Sequence, residues 1–240
     1  MIEVNAISKR LGTTQAVKGV SFSVADGTII GLIGPNGAGK TTTLRMMAGV
    51  LRPDEGQIRI GSHDPHADGG EARRTMGALL DHTGLYERLT AREHLTFFGR
   101  LRHLSPQELS ARIEHVAESL GLKKFIDRRA AGFSQGERMK LALGCSMIHD
   151  PRHLLLDEPT NGLDPNATVD FREHLKRLRD RGMAIIFSSH VLSEVHELCH
   201  RVVVLANGRV AQQGSLDEIC AATGTNTLEL AFMKLTRAEG

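Results

Sequence analysis

The chain has 240 residues, 40% apolar and 24% charged, enough to bury a sizeable core and close to ordinary soluble globular usage. A net charge of +2 argues against a nucleic-acid or anionic-lipid footprint, and three widely spaced cysteines (Cys145, Cys199, Cys220) argue against a disulfide framework or a Cys-x-x-Cys metal knuckle. The N-terminus lacks a basic-then-apolar signal pattern, and no apolar run approaches the roughly 18 residues of a membrane span, so any role at a membrane would need a partner.

The first third reads as strands. Ile2 to Ile7, Val20 to Val24, Thr28 to Ile33 and Gln57 to Ile60 are short and β-branched, with turns at Gly12, Asp26-Gly27 and Pro53 to Gly56. After the third strand comes Gly34-Pro35-Asn36-Gly37-Ala38-Gly39-Lys40-Thr41-Thr42, fitting G-x-x-x-x-G-K-[ST], and a helix is expected from Lys40 to Leu51. The glycines let the backbone curl with its N–H groups inward, while Lys40 would reach the terminal phosphates and the Thr41 hydroxyl would bind Mg²⁺. A chance match in this length is on the order of 1% from residue frequencies. The segment reads as a nucleoside triphosphate site.

From about Ala91 to His149 the period becomes helical, broken at Leu104-Ser105-Pro106 and Ala131-Gly132. Strands and helices then alternate: a strand at His153 to Leu156, a helix from Pro165, a strand at Ala184 to Ser188, a helix from Val191 and a strand at Arg201 to Leu205. Such alternation implies an α/β fold with a mainly parallel sheet, split by a helical insert between Asp81 and Asp150. After Gly214 one more helix and a short strand-like piece are expected.

Two further sites fall at the ends of apolar strands, where parallel sheets bind ligands. His153 to Leu156 leads into Asp157-Glu158, of which Asp157 would hold Mg²⁺ and Glu158 would act as general base. Ser188-Ser189 leads into His190, within reach of a γ-phosphate. Gly132-Phe133-Ser134-Gln135-Gly136-Glu137 precedes a helix and leaves two readings open. Ser134-x-x-Glu137 is a capping box in its own right, whereas Gly136 would let a phosphate approach the backbone. Asp164-Pro165 reads as an N-cap followed by a first-turn proline. His196 and His200 lie four apart with no third metal ligand at a telling spacing.

Taken in order, the segments Gly34 to Thr42, Phe133 to Glu137, Leu154 to Asp164 and Ser189-His190 resemble the ATP-binding cassette (ABC) transporter ATPases. Thr83 to Glu93 is similar to the ABC-2-type exporter branch, which includes sodium-efflux and drug-resistance cassettes. The resemblance implies a single ABC ATPase domain with a P-loop NTPase (RecA-like) core. Residues 1–80 and 151–214 would form that core with an N-terminal antiparallel β subdomain, residues 81–150 a helical subdomain, and residues 215–240 a C-terminal tail. It implies ATP and Mg²⁺ as ligands, with nucleotide contacts from Leu11, Val17, Asn36, Gly37, Ala38, Gly39, Lys40, Thr41 and Thr42. Metal contacts would come from Thr41 and Asp157, and catalysis from Glu158, His190 and Lys40.

Ser134 and Gly136 would touch nucleotide held by a second cassette, in a homodimer or heterodimer on the cytoplasmic face of the cell membrane. A membrane-spanning permease subunit, and no nucleic acid, would be the partner, and export the direction. A soluble ABC ATPase and a non-hydrolysing regulatory module are the alternatives. Two positions depart from the family. Leu11 stands where an aromatic residue usually stacks on adenine, implying weak ATP over GTP discrimination. Asp81 stands where Gln usually contacts metal and water, serving nucleotide and Mg²⁺ or merely ending a strand.

Overall fold

The computed structural model describes residues 1–80 and 84–237. The chain opens with β1 (Ile2–Leu11), β2 (Thr14–Val24) and β3 (Ile29–Ile33), then α1 (Lys40–Met47), β4 (Glu55–Ile60), α2 (Gly69–Thr75) and β5 (Met76–Leu79). Three helices follow: α3 (Ala91–Leu101), α4 (Pro106–Ser119) and α5 (Gln135–Met147). Alternation resumes with β6 (His153–Asp157), α6 (Pro165–Asp180), β7 (Ala184–Ser189), α7 (Leu192–Leu198), β8 (Arg201–Ala206) and β9 (Arg209–Ser215). Helices α8 (Leu216–Thr223) and α9 (Leu228–Arg237) complete the described chain.

Six strands form one sheet in the order β5-β6-β7-β3-β8-β9, parallel except for β9, which returns from β8 through Asn207-Gly208. Its inner strands read as unbroken apolar runs because both faces are covered. Ile29 and Ile33 of β3 face the helical side together with Leu154, Leu156, Ile185 and Phe187. Ile30 and Leu32 face the other way, joining Leu155 and Ile186 against α1 and the antiparallel sheet β2-β1-β4. Burial of either side strips water from roughly twenty or more apolar side chains, each contributing on the order of 1.5–3 kcal/mol, which is what commits β3 to the centre.

Two expectations change. Helix α1 stops at Met47, because Gly49 takes a positive φ of 71° and its amide bonds back to Met46. The strand-like piece near the C-terminus is helical: burial falls on Leu228 and Ala231, three apart, and the Thr227 carbonyl accepts from the Ala231 amide. The short elements α2 and β5 escaped the periodicity reading, since seven and four residues offer too little pattern to count.

Strand register brings the chemical segments together. Ser188 of β7 sits opposite Asp157 on one side and Leu32 on the other. The C-terminal ends of β6, β7 and β3 therefore finish level, and each feeds one chemical segment into the same crevice.

Candidate nucleotide site

The phosphate loop is shaped by its glycines. Gly37 and Gly39 have φ of 81° and 101°. A Cβ on Gly34 would stand 2.5 Å from the Leu205 carbonyl oxygen, and one on Gly39 would stand 2.7 Å from that of Ala16. The loop is thus wedged between β8 and the β1–β2 hairpin, on the strand-to-helix connection.

Helix α1 starts differently from its neighbours. Helices α3, α4, α5 and α8 each begin with a complete capping box, in which a Ser or Thr hydroxyl and a Glu carboxylate satisfy the first amides. The N-cap of α1 is Gly39, with no side-chain cap and no acidic residue in the first turn. Its first-turn amides and its positive dipole end face the loop with no side-chain cap among the described residues, the arrangement that receives phosphate.

Lys40 is only 6% exposed. Its ammonium donates to the Gly34 carbonyl at 2.7 Å and lies 3.8 Å from the Glu158 carboxylate. Burial pulls its pKa below the usual lysine range, outweighing the opposing pull of Glu158 and Asp157. Thr41 and Thr42 follow on the first turn of α1, half-buried.

Asp157 ends β6, buried, and its Oδ1 accepts from the Ser188 hydroxyl at 2.6 Å. Consecutive residues in a strand point to opposite faces, yet Glu158 must reach the same crevice. The backbone achieves this by turning: Glu158 takes φ 46°, a left-handed conformation that costs a non-glycine residue about 1–2 kcal/mol. Its carboxylate then accepts from His190 Nδ1 at 2.7 Å and from the Asn161 amide at 3.2 Å. Lys40, Asp157, Glu158 and His190 are brought together.

The remaining sequence-derived positions fall around this centre. Asn36 and Gly37 are exposed on the loop while Ala38 is buried beneath it. Val17 is fully buried, its Cγ2 3.4 Å from where a Gly39 Cβ would stand, so it supports the loop from below. Leu11 ends β1 and is 45% exposed. Ser134 is exposed and forms its capping box with Glu137, while Gly136 packs towards Ala167 of α6 rather than the loop. A hydroxyl that accepts in a cap still has its proton to donate, so the two readings of Ser134 are compatible. Asp81 lies outside the described residues.

Residues that sequence reasoning missed hold the crevice in shape. Ser188 joins the two carboxylate residues, accepting from the Glu158 amide at 2.9 Å while donating to Asp157. Glu194 accepts from the Thr160 hydroxyl at 2.6 Å and from Ser189 at 3.4 Å, tying the turn after Glu158 to the turn before His190. The available signal was faint: a hydroxyl residue ending an apolar strand opposite an Asp.

A phosphate loop, paired carboxylates and a strand-end histidine converge here on one parallel-sheet edge, and the sequence profile of the ABC transporter family matches residues 17–161. The chain belongs to the ABC transporter family. The ATP-binding protein NatA of Bacillus subtilis is 40% identical over 225 residues, 93% of this chain and 92% of that protein. The daunorubicin resistance ATP-binding protein DrrA3 of Streptomyces coeruleorubidus is 36% identical, covering 96% of this chain and 73% of its relative. A solved ATP-binding subunit of an ABC transporter superposes with a TM-score of 0.89 at 30% identity, over 98% of this chain and 99% of that one. The chain is therefore an ATP-binding, ATPase subunit of an ABC transporter with the P-loop NTPase fold, as its motifs implied.

Proposed function

We propose that Glu158, Lys40 and His190 carry out ATP hydrolysis at the end of β3. The observation that carries this is the placement of one carboxylate, Glu158, 3.8 Å from the Lys40 ammonium and 2.7 Å from His190 Nδ1, beside the phosphate loop. Glu158 orients and deprotonates the attacking water, Lys40 neutralises charge growing on the phosphoryl oxygens, and His190 holds Glu158 and would contact the γ-phosphate.

The donor set fits Mg²⁺. Asp157 and Glu158 place two carboxylates against one ammonium, and Thr41 and Asp157 offer the hard oxygens that Mg²⁺ takes. Thr41 and Asp157 would hold it, and when bound it offsets charge on the phosphates. Asp81, at the family's Gln position, would either add an oxygen donor or merely end a strand.

The cassette works as a dimer, Ser134 and Gly136 of one copy closing on nucleotide bound by the other, with Asp164 in the segment that crosses between them. Residues 81–150 press on a membrane-spanning partner at the cytoplasmic face of the membrane and transmit closure to it, driving export. Kinship with a drug-resistance cassette supports export. No helix among the described residues is long and apolar enough to cross a membrane.

The test is Glu158→Gln. Turnover should fall by about two to three orders of magnitude, the scale of a lost general base, with ATP binding retained. Undiminished hydrolysis would overturn the assignment.

A further inference from the structure

We infer that Ser188 is the positioning residue that sets the catalytic carboxylate, an inference that rests on the role proposed for Glu158. The Ser188 side chain is fully buried and uses both halves of its hydroxyl: its proton goes to Asp157 Oδ1 at 2.6 Å, and its oxygen accepts from the Glu158 amide at 2.9 Å. The parallel pairing of β6 with β7 ends at the Asp157–Ser188 pair, so the Glu158 N–H is the first amide beyond the ladder. Without Ser188 it would be a half-buried donor at a position already held at φ 46°.

A single oxygen therefore fixes the angle between two adjacent carboxylates that a regular strand would splay apart. Ser188 is level with Leu32 of β3, one residue before the strand end that opens into the phosphate loop, so the same hydroxyl refers both carboxylates to the loop. Ser188 touches no reacting atom. It acts through Glu158, and its loss releases Glu158 to a more ordinary backbone conformation in which the carboxylate leaves His190 and Lys40.

The experiment is steady-state ATP hydrolysis with nucleotide binding measured separately, on the full chain. Ser188→Ala should lower kcat about tenfold or more, the value of one to two lost hydrogen bonds, while KM and ATP affinity change by less than about threefold. Ser188→Cys keeps the volume with a weak hydrogen-bonding group and should lose as much, which covers the case in which the alanine variant folds poorly. Ser188→Thr restores the hydroxyl and should recover most of kcat.

A general structural weakening would lower ATP affinity and thermal stability in step with kcat, and Thr, with its extra methyl in a packed site, would not rescue. That pattern, or wild-type kcat in both the Ala and Cys variants, overturns the inference. Glu158→Gln run alongside separates the two claims. If it is inactive while Ser188→Ala is unimpaired, only the positioning role fails; if it too hydrolyses normally, the assignment of Glu158 fails first.

Discussion

The proposed contact to the base is Leu11, an aliphatic side chain where the family usually has a ring. It projects from the end of β1 with 45% of its surface exposed, on the hairpin whose Ala16 carbonyl abuts Gly39 of the phosphate loop. A base lying on that hairpin meets an aliphatic surface, which buries area without the ring-on-ring geometry that adds about 0.5–1.5 kcal/mol. The wild-type chain should therefore bind ATP and GTP within a few-fold of each other. Leu11→Tyr should tighten both by several-fold, measured by titration calorimetry with Mg²⁺ present. A strong wild-type preference for ATP, or no gain on introducing the ring, would contradict this role for Leu11.

At the scale of elements, the seams around the helical segment carry two histidines held neutral. His174 of α6 is buried beside the end of α4, and burial first, then Arg177 and Arg181, push its pKa down to about 4. His149, just beyond α5, is likewise pushed down to about 4 by burial and by Arg102. In the unfolded chain both take a proton below about pH 6.5. Their folded-state contribution is thus fully present above pH 6.5 and is lost as pH falls towards 4. Each should cost about 2 kcal/mol by pH 5. Urea midpoints should fall between pH 7 and pH 5, and His174→Leu should remove part of that fall, the rest coming from His149 and from His153, whose pKa burial also lowers. Equal declines in variant and wild type would show that α6 is not where the acid sensitivity arises.

Elements also differ in how plainly the sequence announces them. Runs such as Leu154 to Leu156 and Ile185 to Phe187 signal buried parallel strands, because an apolar run too short for a helix has few other uses. The capping boxes at Ser134 and the turn residues before Pro106 and Pro165 locate helix starts within a residue or two. Helix α9 reads wrongly as a strand because alternation at Leu228, Leu230 and Phe232 mimics one, and only packing against β8 chooses the three-residue spacing. At the site, residue types that chemistry demands are legible. The positive φ of Glu158 and the Ser188 bridge are not, since both depend on register between strands that are about thirty residues apart in the chain.

For the molecule as a whole, the decisive feature is a separation. The phosphate loop, Lys40, Glu158 and His190 occupy one crevice. Ser134 and Gly136 start α5 elsewhere, against the Gly162 and Ala167 segment, with Ser134 facing solvent. In the dimer proposed above, a second copy turned head to tail would supply what each crevice lacks. The most direct measurement is the mass in solution of the Glu158→Gln variant, by light scattering after size exclusion, with and without Mg²⁺ and ATP. A shift from monomer to twice the monomer mass that requires ATP, and that Ser134→Arg abolishes, is the expected result. A variant that binds ATP tightly yet stays monomeric at every concentration would contradict the composite site.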